Sequence, residues 1–274
     1  MPPPEPRGRV RAITSLQNER VKLMRALDMR KVRRETGLFL AEGASVLVTA
    51  RDAGWRPRML AYLAGSAASG VARQLVHWAE AAGAECLEVT EAVLAKIAAK
   101  DNPQTMLGVL EQRWAALPDP DQVGEQATWV ALEAVRDPGN LGTIVRTADA
   151  VGAGGVILVG TCADPYSREA VRATMGSIFD VPLVRASREE ALALAAAWRG
   201  DVVGTHLQAS EDFRAARYRA PALLVMGSEG PGLSPELARA CSRLVRIPMA
   251  GRLDSLNLAV ATALVLYELR RDRL

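Results

Sequence analysis

The sequence predicts an α/β protein made of two α/β parts. Short apolar runs alternate with segments of helical periodicity along most of the chain, which is the pattern of strands joined by helices. Residues 116–127 interrupt this alternation with Pro118, Pro120 and Gly124, a composition typical of a linker. Beyond the linker, strand candidates such as 222–226 are apolar throughout, which favours a mostly parallel sheet covered on both faces.

Before the linker, the pattern predicts a small α/β unit. After a proline-rich start, Ser15 is expected to cap a helix over residues 16–34, whose apolar face carries Val21, Met24 and Leu27. Helix and strand then alternate. Strands are predicted at 37–40, 58–63, 86–89 and 106–110, and helices at 42–53, 71–82 and 91–98.

After the linker, the alternation is more regular. Strands are predicted at 128–135, 156–159, 182–184, 202–205, 222–226 and 244–247, and helices at 141–151, 167–175, 188–197, 233–240 and from Asp254 or Ser255 to Leu269. Sheets of this kind bind ligands beyond the carboxyl ends of their strands. The loops 136–142, 227–234 and 249–257 all lie at such ends, so they are the candidate ligand-binding loops.

Composition restricts the class of protein. The chain has 274 residues, of which 49% are hydrophobic, and this suits a soluble protein with a substantial core. No apolar run reaches the length of a membrane span and no secretory signal is visible, so we expect a cytoplasmic protein without a membrane partner. Two histidines and three widely spaced cysteines argue against a metal site, a disulfide framework and a histidine-based nucleophile.

The charge is distributed unevenly. Residues 1–34 contain ten Lys or Arg and three acidic residues, whereas the whole chain has a net charge of only +3. Clustered cations attract nucleic-acid phosphates, although a solvated helix face can also be basic without a partner. The candidate RNA-binding residues are Arg20, Lys22, Arg30, Lys31, Arg33 and Arg34.

The polar residues near the candidate loops allow two interpretations each. Glycines in the loop 227–234 let backbone approach a ligand, but the Walker and dinucleotide glycine patterns are absent. Glu229 suits a ligand site or a helix start, and Arg146 alone is more typical of a surface charge. Ser255 and Asn257 could hold an oxygen-rich ligand, or cap the following helix and bond a neighbouring loop.

Three segments carry a family resemblance. Residues 137–148 read Asp-Pro-Gly-Asn-Leu-Gly-Thr-Ile-Val-Arg-Thr-Ala, residues 226–230 read Met-Gly-Ser-Glu-Gly, and residues 247–257 begin with Ile-Pro-Met and end with Ser-Leu-Asn. In this order they resemble the three motifs of the SpoU (TrmH-like) RNA methyltransferases of the SPOUT class. The resemblance extends over about residues 128–270.

The resemblance implies a fold and an activity. Residues 15–18 and 34–43 resemble, more loosely, the RNA-binding substrate domain of the family. This implies a smaller N-terminal RNA-binding domain at 1–115, a linker at 116–127 and a methyltransferase domain at 128–274. The family also implies a deep trefoil knot in the C-terminal domain, an S-adenosylmethionine pocket at the knot and a homodimer that brings together active-site groups from two chains. The implied reaction is ribose 2′-O-methylation of structured RNA, and the separate N-terminal domain favours ribosomal over transfer RNA.

The resemblance also implies residue roles. The residues whose backbone would line the cofactor pocket are Gly227, Ile247 and Leu256. The residues that would form the reactive site are Asn140, Arg146, Glu229, Ser255 and Asn257. Because an arginine stays protonated in proteins, Arg146 is expected to stabilise the developing alkoxide or to hold the adjacent phosphate rather than act as a base. Asn140 would orient Arg146, and Ser255 and Asn257 would fix the loop and the ribose.

Other function classes remain open at this stage. A ribose methyltransferase acting on transfer RNA shares the same motifs. A non-catalytic RNA-binding protein that retains the fold is a second alternative, which the presence of every polar motif residue disfavours. A dinucleotide-dependent oxidoreductase would need the glycine fingerprint that the chain lacks.

Overall fold

The computed structural model describes residues 10–99, 104–252 and 255–274. The proline-rich start predicted before residue 10 lies outside the described residues. So does Asp254, one of the two predicted caps of the last helix. None of the helices within these ranges combines the length and apolar character that crossing a bilayer requires.

The chain forms two compact units. The first contains the described residues up to Gln112 together with Tyr166–Phe179, and the second contains Arg113–Pro165 and Asp180–Leu274. Residues 166–179 therefore fold with the first unit, although the sequence places them within the domain 128–274. The limits of the functional domains stay a prediction.

Up to Gln112, the first unit is a mixed sheet with helices. Its strands are β1 (Val10–Ile13), β2 (Leu38–Glu42), β3 (Pro57–Leu63), β4 (Glu85–Val89) and β5 (Met106–Glu111). Its helices are α1 (Glu19–Ala26), α2 (Arg30–Thr36), α3 (Ala44–Asp52), α4 (Gly70–Ala81) and α5 (Glu91–Ala98). The sheet order is β1-β4-β3-β5-β2, with β4 parallel to β1 and β3, and β5 antiparallel to β3 and β2. The predicted α/β character of this unit is confirmed, and β1 is a strand that the sequence analysis missed.

The predicted helix over 16–34 is two helices, α1 and α2. Asn18 rather than Ser15 caps α1, because its side chain accepts the N–H of Arg20 at 2.9 Å. Such a side-chain oxygen pairs one of the N–H groups that a helix start leaves free. The single long helix was therefore a wrong prediction.

Arg33 stabilises the turn between α1 and α2. Its guanidinium donates to the carbonyl oxygens of Leu27 and Asp28, both at 2.8 Å. The residue is only 3% exposed. Because its charge is buried against backbone, we withdraw Arg33 from the predicted RNA-binding face.

Beyond Gln112, helices separate most of the strands, as predicted, and only β9, β10 and β11 follow one another directly. In chain order the elements are β6 (Thr128–Glu133), α6 (Pro138–Ala150), β7 (Val156–Val159), α7 (Arg168–Thr174), β8 (Leu183–Ala186), α8 (Arg188–Ala197), β9 (Val202–Thr205), β10 (Glu211–Asp212), β11 (Ala222–Met226), α9 (Pro235–Ala240), β12 (Arg243–Arg246) and α10 (Leu258–Arg270). Of these, α7 belongs to the first unit. The two-residue strand β10 is an element that the sequence analysis missed.

The second unit contains a seven-stranded sheet in the order β10-β12-β9-β11-β6-β7-β8. Every pair of neighbouring strands is parallel, so the predicted parallel sheet is confirmed. β6 and β11 are neighbours, and α6, which follows β6, packs against α10. The loops after β6 and β11 and the segment before α10 therefore all belong to this unit.

The predicted linker contains no helix or strand, but part of it packs on the second unit. Val123 lies in the core formed with strands of the parallel sheet. Arg199 donates a hydrogen bond from Nε to the carbonyl oxygen of Pro120 at 2.7 Å. The proline-rich composition thus indicates irregular backbone, and this backbone packs against the second unit.

Candidate active site

The first candidate loop leads directly into α6. Asp137 caps the helix, because its Oδ1 accepts the N–H of Asn140 at 2.6 Å. Pro138 follows at the first helical position, where a missing N–H does no harm and the fixed φ suits the helix. This local sequence places the side chain of Asn140 at the start of α6, beside the carboxyl end of β6.

Three motif side chains form a continuous chain of hydrogen bonds, which we call the amide relay: Glu229, Asn140 and Asn257. Asn140 Nδ2 donates to Glu229 Oε1 at 3.0 Å. Asn257 Nδ2 donates to Asn140 Oδ1 at 2.9 Å. A carboxylate only accepts, so it determines which way the amide of Asn140 points, and Asn140 in turn determines the orientation of Asn257.

Asn257 also begins the last helix. Its Oδ1 accepts the N–H groups of Ala259 at 2.9 Å and Val260 at 3.3 Å, which makes it the cap of α10. The predicted caps Asp254 and Ser255 precede this position, and the described Ser255 is exposed and does not cap α10. One side chain therefore both caps α10 and closes the amide relay, which is the structural interpretation considered for this segment. A role of Asn257 in holding a ligand stays a prediction.

Glu229 is ionised at neutral pH. Burial acts to raise its pKa, but hydrogen bonds from Asn140 and from backbone N–H groups, including that of Arg136 at 3.1 Å, outweigh burial and hold the pKa below the usual 4.5. A carboxylate with a lowered pKa is a weak base. Its geometry suits an anchor for Asn140 better than a proton acceptor.

Replacing Glu229 with glutamine is expected to remove an acid-sensitive contribution to stability. Because the folded pKa lies below the unfolded one, the carboxylate stabilises the fold above pH 4.5, and this contribution is lost as pH falls through the folded pKa. Thermal melts from about pH 7 to about pH 3 should therefore show the Tm difference between wild type and Glu229→Gln shrinking in acid. A difference that stays constant over this range would contradict the assignment.

The glycine-rich loop after β11 folds back on itself. Ser228 and Gly232 exchange two backbone hydrogen bonds of 3.2 and 3.0 Å. A Cβ added to Gly227 would collide with the backbone of Gly232 and Leu233. Glycine is therefore required at Gly227 so that the loop can close and present Glu229 to the relay.

Glu133 is a residue that the sequence analysis missed. It is the last residue of β6 and is buried. Its Oε2 accepts the N–H of Ser234 at 2.7 Å, and its Oε1 lies 3.4 Å from Arg188 Nε. Glu133 thereby anchors the end of the loop that carries Glu229. The sequence signal that could have identified Glu133 is an acidic residue at the end of an otherwise apolar strand.

Two of the predicted cofactor residues offer unpaired backbone donors. In the described part of the chain, the N–H groups of Ile247 and Leu256 have no hydrogen-bond partner. Both residues flank the segment between β12 and α10. Free N–H groups suit the acceptor atoms of a polar ligand, and the glycine at Gly227 lets the backbone close in around it. The residues thus fit the cofactor that the resemblance implies, and their role in binding it stays a prediction.

Arg146 and Ser255 are not joined to the amide relay. Arg146 is exposed, and among the described residues its side chain makes no hydrogen bond or ion pair. It follows Asn140 by six residues on α6, which places it roughly 9 Å along the helix and about 120° around it. Ser255 is likewise exposed. Within the described ranges, the predicted reactive residues therefore form one connected trio and two side chains without a partner.

Most of the predicted RNA-binding residues are exposed on α1 and α2. Arg20 pairs with Glu85 at 3.0 Å, Lys22 with Glu19 at 2.8 Å, and Lys31 with Glu35 at 3.9 Å. The two lysine pairs are exposed and weak, so they can yield to RNA phosphates, whereas Arg20 is held to Glu85 through both Nε and Nη2. Arg30 and Arg34 are also exposed. Apart from the buried Arg33, the predicted face is therefore accessible.

Comparison with known proteins decides the family. The model of the SpoU rRNA Methylase family matches residues 127–267, which is more than half of the chain. The chain belongs to the SpoU rRNA methylase family. Residues 18–108 match the MRM3-like substrate binding domain, in agreement with the looser N-terminal resemblance.

Three rRNA methyltransferases resemble the chain over nearly its whole length. An AdoMet-bound rRNA methyltransferase from Sinorhizobium meliloti is 48% identical with a TM-score of 0.89, covering 97% of this chain and 100% of that one. The 23S rRNA (uridine(2479)-2′-O)-methyltransferase of Streptomyces viridochromogenes is 34% identical, covering 96% and 93%. The 23S rRNA (guanosine(2553)-2′-O)-methyltransferase RlmP of Bacillus subtilis is 28% identical, covering 95% and 100%.

Proposed function

We propose that this SpoU methylase transfers a methyl group from S-adenosylmethionine to a ribose 2′-hydroxyl of structured RNA, with ribosomal RNA as the substrate. The amide relay carries the proposal, because it joins the three motif segments at one end of the parallel sheet. Relatives named as 23S rRNA 2′-O-methyltransferases support the reaction and the substrate class. Because the proposed substrate is ribosomal RNA, we place the action of the protein in the cytoplasm.

The cofactor supplies a methyl group on a positively charged sulfur. Backbone groups at Gly227, Ile247 and Leu256 would hold it, since Gly227 follows β11, Ile247 follows β12 and Leu256 precedes α10. The amide relay then holds the loop after β11 and the segment before α10 against the start of α6. Holding the reactants in line accounts for much of the barrier reduction that such a transfer needs.

Arg146 provides the charge that the reaction requires. Its guanidinium keeps its proton, so it favours a deprotonated ribose oxygen by placing positive charge beside it, or binds the neighbouring phosphate. Ser255 is exposed and free to bind the same phosphate or ribose. The charge of Arg146 lowers the energy of the oxygen anion, so the hydroxyl proton can leave to solvent water and no group in the relay is needed as a base.

The site is completed by a second copy of the chain. Val260, Leu264 and Tyr267 are spaced along one face of α10 and are 49, 40 and 50% exposed. An apolar stripe of this kind suits a symmetric helix-to-helix interface. Since Arg146 lies on another face of α6 from Asn140, we propose that it acts in the site of the partner subunit. The trefoil knot of this family stays a prediction for the C-terminal domain.

Replacing Leu264 with glutamate is expected to convert the dimer to a monomer and to abolish methyl transfer. The new charge would be buried against the same stripe of the partner, where it has no counterion. Sedimentation velocity measures the change in mass. Leu274→Glu is the matched control, because Leu274 is 63% exposed in the same unit but lies beyond α10. A Leu264→Glu protein that remains a dimer would contradict this interface.

The proposed function is tested by methyl transfer. The purified protein is incubated with S-adenosylmethionine carrying a tritiated methyl group and with unmethylated 23S rRNA, 16S rRNA or bulk transfer RNA. Ribose-specific label in 23S rRNA supports the proposal. Label in transfer RNA alone would assign the alternative substrate, and binding of RNA without any label would indicate a non-catalytic protein.

A further inference from the structure

The first unit contains a cavity of about 740 Å³ that the proposed reaction does not use. It is lined by residues of β3, α4 and β4 and of the loop between β3 and α4. Its size lies within the range of ligand sites in proteins. The polar residues that line it are Tyr62, Arg73, Gln74, His77, Glu80 and Glu88.

Tyr62 is the residue that points to a ligand. It is 4% exposed, yet among the described residues its hydroxyl has no hydrogen-bond partner. The hydroxyl is not among the fully buried unpaired atoms of the described residues. It therefore opens into the cavity, where a ligand or a water can pair with it. Burial, followed by the negative charge of Glu88, raises the pKa of Tyr62 to about 12. The hydroxyl is therefore protonated at neutral pH and able to donate.

The charges around the cavity divide into a cationic and an acidic part. Arg73 is exposed near the start of α4, where the cap residue Ser69 makes no side-chain hydrogen bond to the helix. An uncapped helix start beside an arginine suits a phosphate. Glu80 and Glu88 provide acceptors, and Glu88 Oε1 already accepts the N–H of Gly65 at 3.1 Å. A ligand made of phosphates alone would be repelled by these two carboxylates.

We propose that this cavity binds one unpaired nucleotide of the substrate RNA. Its phosphate lies at Arg73 and the start of α4, and its base lies against Tyr62, Glu80 and Glu88. Carboxylate acceptors select a base with an exocyclic amino group, namely adenine, guanine or cytosine. Proteins that recognise RNA sequence commonly bind such unstacked bases. The inference rests on the proposed function only in that RNA is the substrate.

The test measures affinity for unmethylated 23S rRNA by filter binding with the full-length protein. Tyr62→Phe removes only the hydroxyl and is expected to weaken binding about three- to tenfold, the range for one hydrogen bond. Ala68→Trp fills the cavity from an exposed lining position and is expected to weaken binding by about tenfold or more, because the indole occupies the space of the base. Both variants are checked for unchanged thermal melts.

A matched pair of charge variants tests the phosphate. Arg73→Gln should weaken binding and lower the slope of log affinity against log salt by about one. Lys96→Gln is the control, because Lys96 is an exposed cation of the same unit outside the cavity lining. It should leave affinity within about twofold of wild type, since it removes a single charge away from the cavity.

The outcomes separate this inference from the proposed function. Wild-type affinity in both Tyr62→Phe and Ala68→Trp, with methyl transfer intact, overturns the cavity site and leaves the methyltransferase standing. Weakened RNA binding in both, with no methyl transfer by the wild type, supports the site and overturns the proposed reaction. Tight binding of guanosine monophosphate with RNA affinity unchanged in the variants would assign the cavity to a free nucleotide and overturn the inference.

Discussion

Replacing Arg146 with alanine is expected to lower the rate of methyl transfer about a thousandfold, the effect of removing one donor that stabilises a developing anion. Affinity for S-adenosylmethionine should stay within about twofold, because Arg146 makes no hydrogen bond or ion pair within the described residues that would hold the cofactor loops. The rate is measured in a single turnover with saturating RNA. Cofactor affinity is measured by calorimetry without RNA.

Two further variants test whether the loss of rate is due to the guanidinium of Arg146 rather than to the loss of any exposed arginine. Arg146→Lys keeps the charge but not the planar fork, so its rate should lie between those of alanine and wild type. Arg239→Ala removes an exposed arginine of α9 whose partner is Glu236 at 3.9 Å, and it should leave the rate unchanged. An Arg146→Ala protein that loses cofactor binding as severely as its rate would show that the arginine is structural.

The parallel sheet could be predicted because its strands carry their own signal. Val156–Val159 and Ala222–Met226 are buried at every position, and a strand with both faces covered has to be apolar throughout. The start of α6 could also be predicted from local sequence, because the adjacent residues Asp137 and Pro138 form its cap and its first turn. Ligand loops beyond such strands follow from the topology of the sheet.

The connections within the site could not be predicted in the same way. Asn257 lies 117 residues beyond Asn140, so no periodicity reveals that their amides meet. The choice of Asn257 over Ser255 as the cap of α10 depends on this long-range partner, since either residue type can cap a helix. Glu133 was missed for the same reason, because its partner Ser234 lies in another loop.

The helix at 168–174 was predicted, but its place in the first unit was not. Tyr166 packs on Phe39 with ring centroids 4.7 Å apart, and Trp55 donates from Nε1 to the carbonyl oxygen of Phe179 at 2.9 Å. These partners are separated by more than a hundred residues of sequence. Composition and periodicity report which residues are buried but not which distant side chains cover them.

Replacing Asn140 with alanine is expected to reduce methyl transfer about a hundredfold, by loss of preorganised positioning. The change removes the middle of the amide relay, so that Glu229 loses the side-chain donor that reaches it and Asn257 loses the oxygen that orients it. Asn257 keeps its bonds to the start of α10, so the fold should persist. Single-turnover rates and thermal melts measure the two effects separately.

If Arg146 acts in the site of the partner subunit, a heterodimer of two inactive variants should regain methyl-transfer activity. In a heterodimer of Arg146→Ala and Asn140→Ala chains, the first chain keeps its own relay and receives Arg146 from the second. One of the two sites is then intact, and purified heterodimer should show about half the wild-type rate, as expected when the two sites act independently. If Arg146 instead serves the relay of its own chain, each site lacks one group and the heterodimer stays as inactive as its parents. Co-expression with two different affinity tags isolates the heterodimer, and a rate no higher than either parent would refute a shared site.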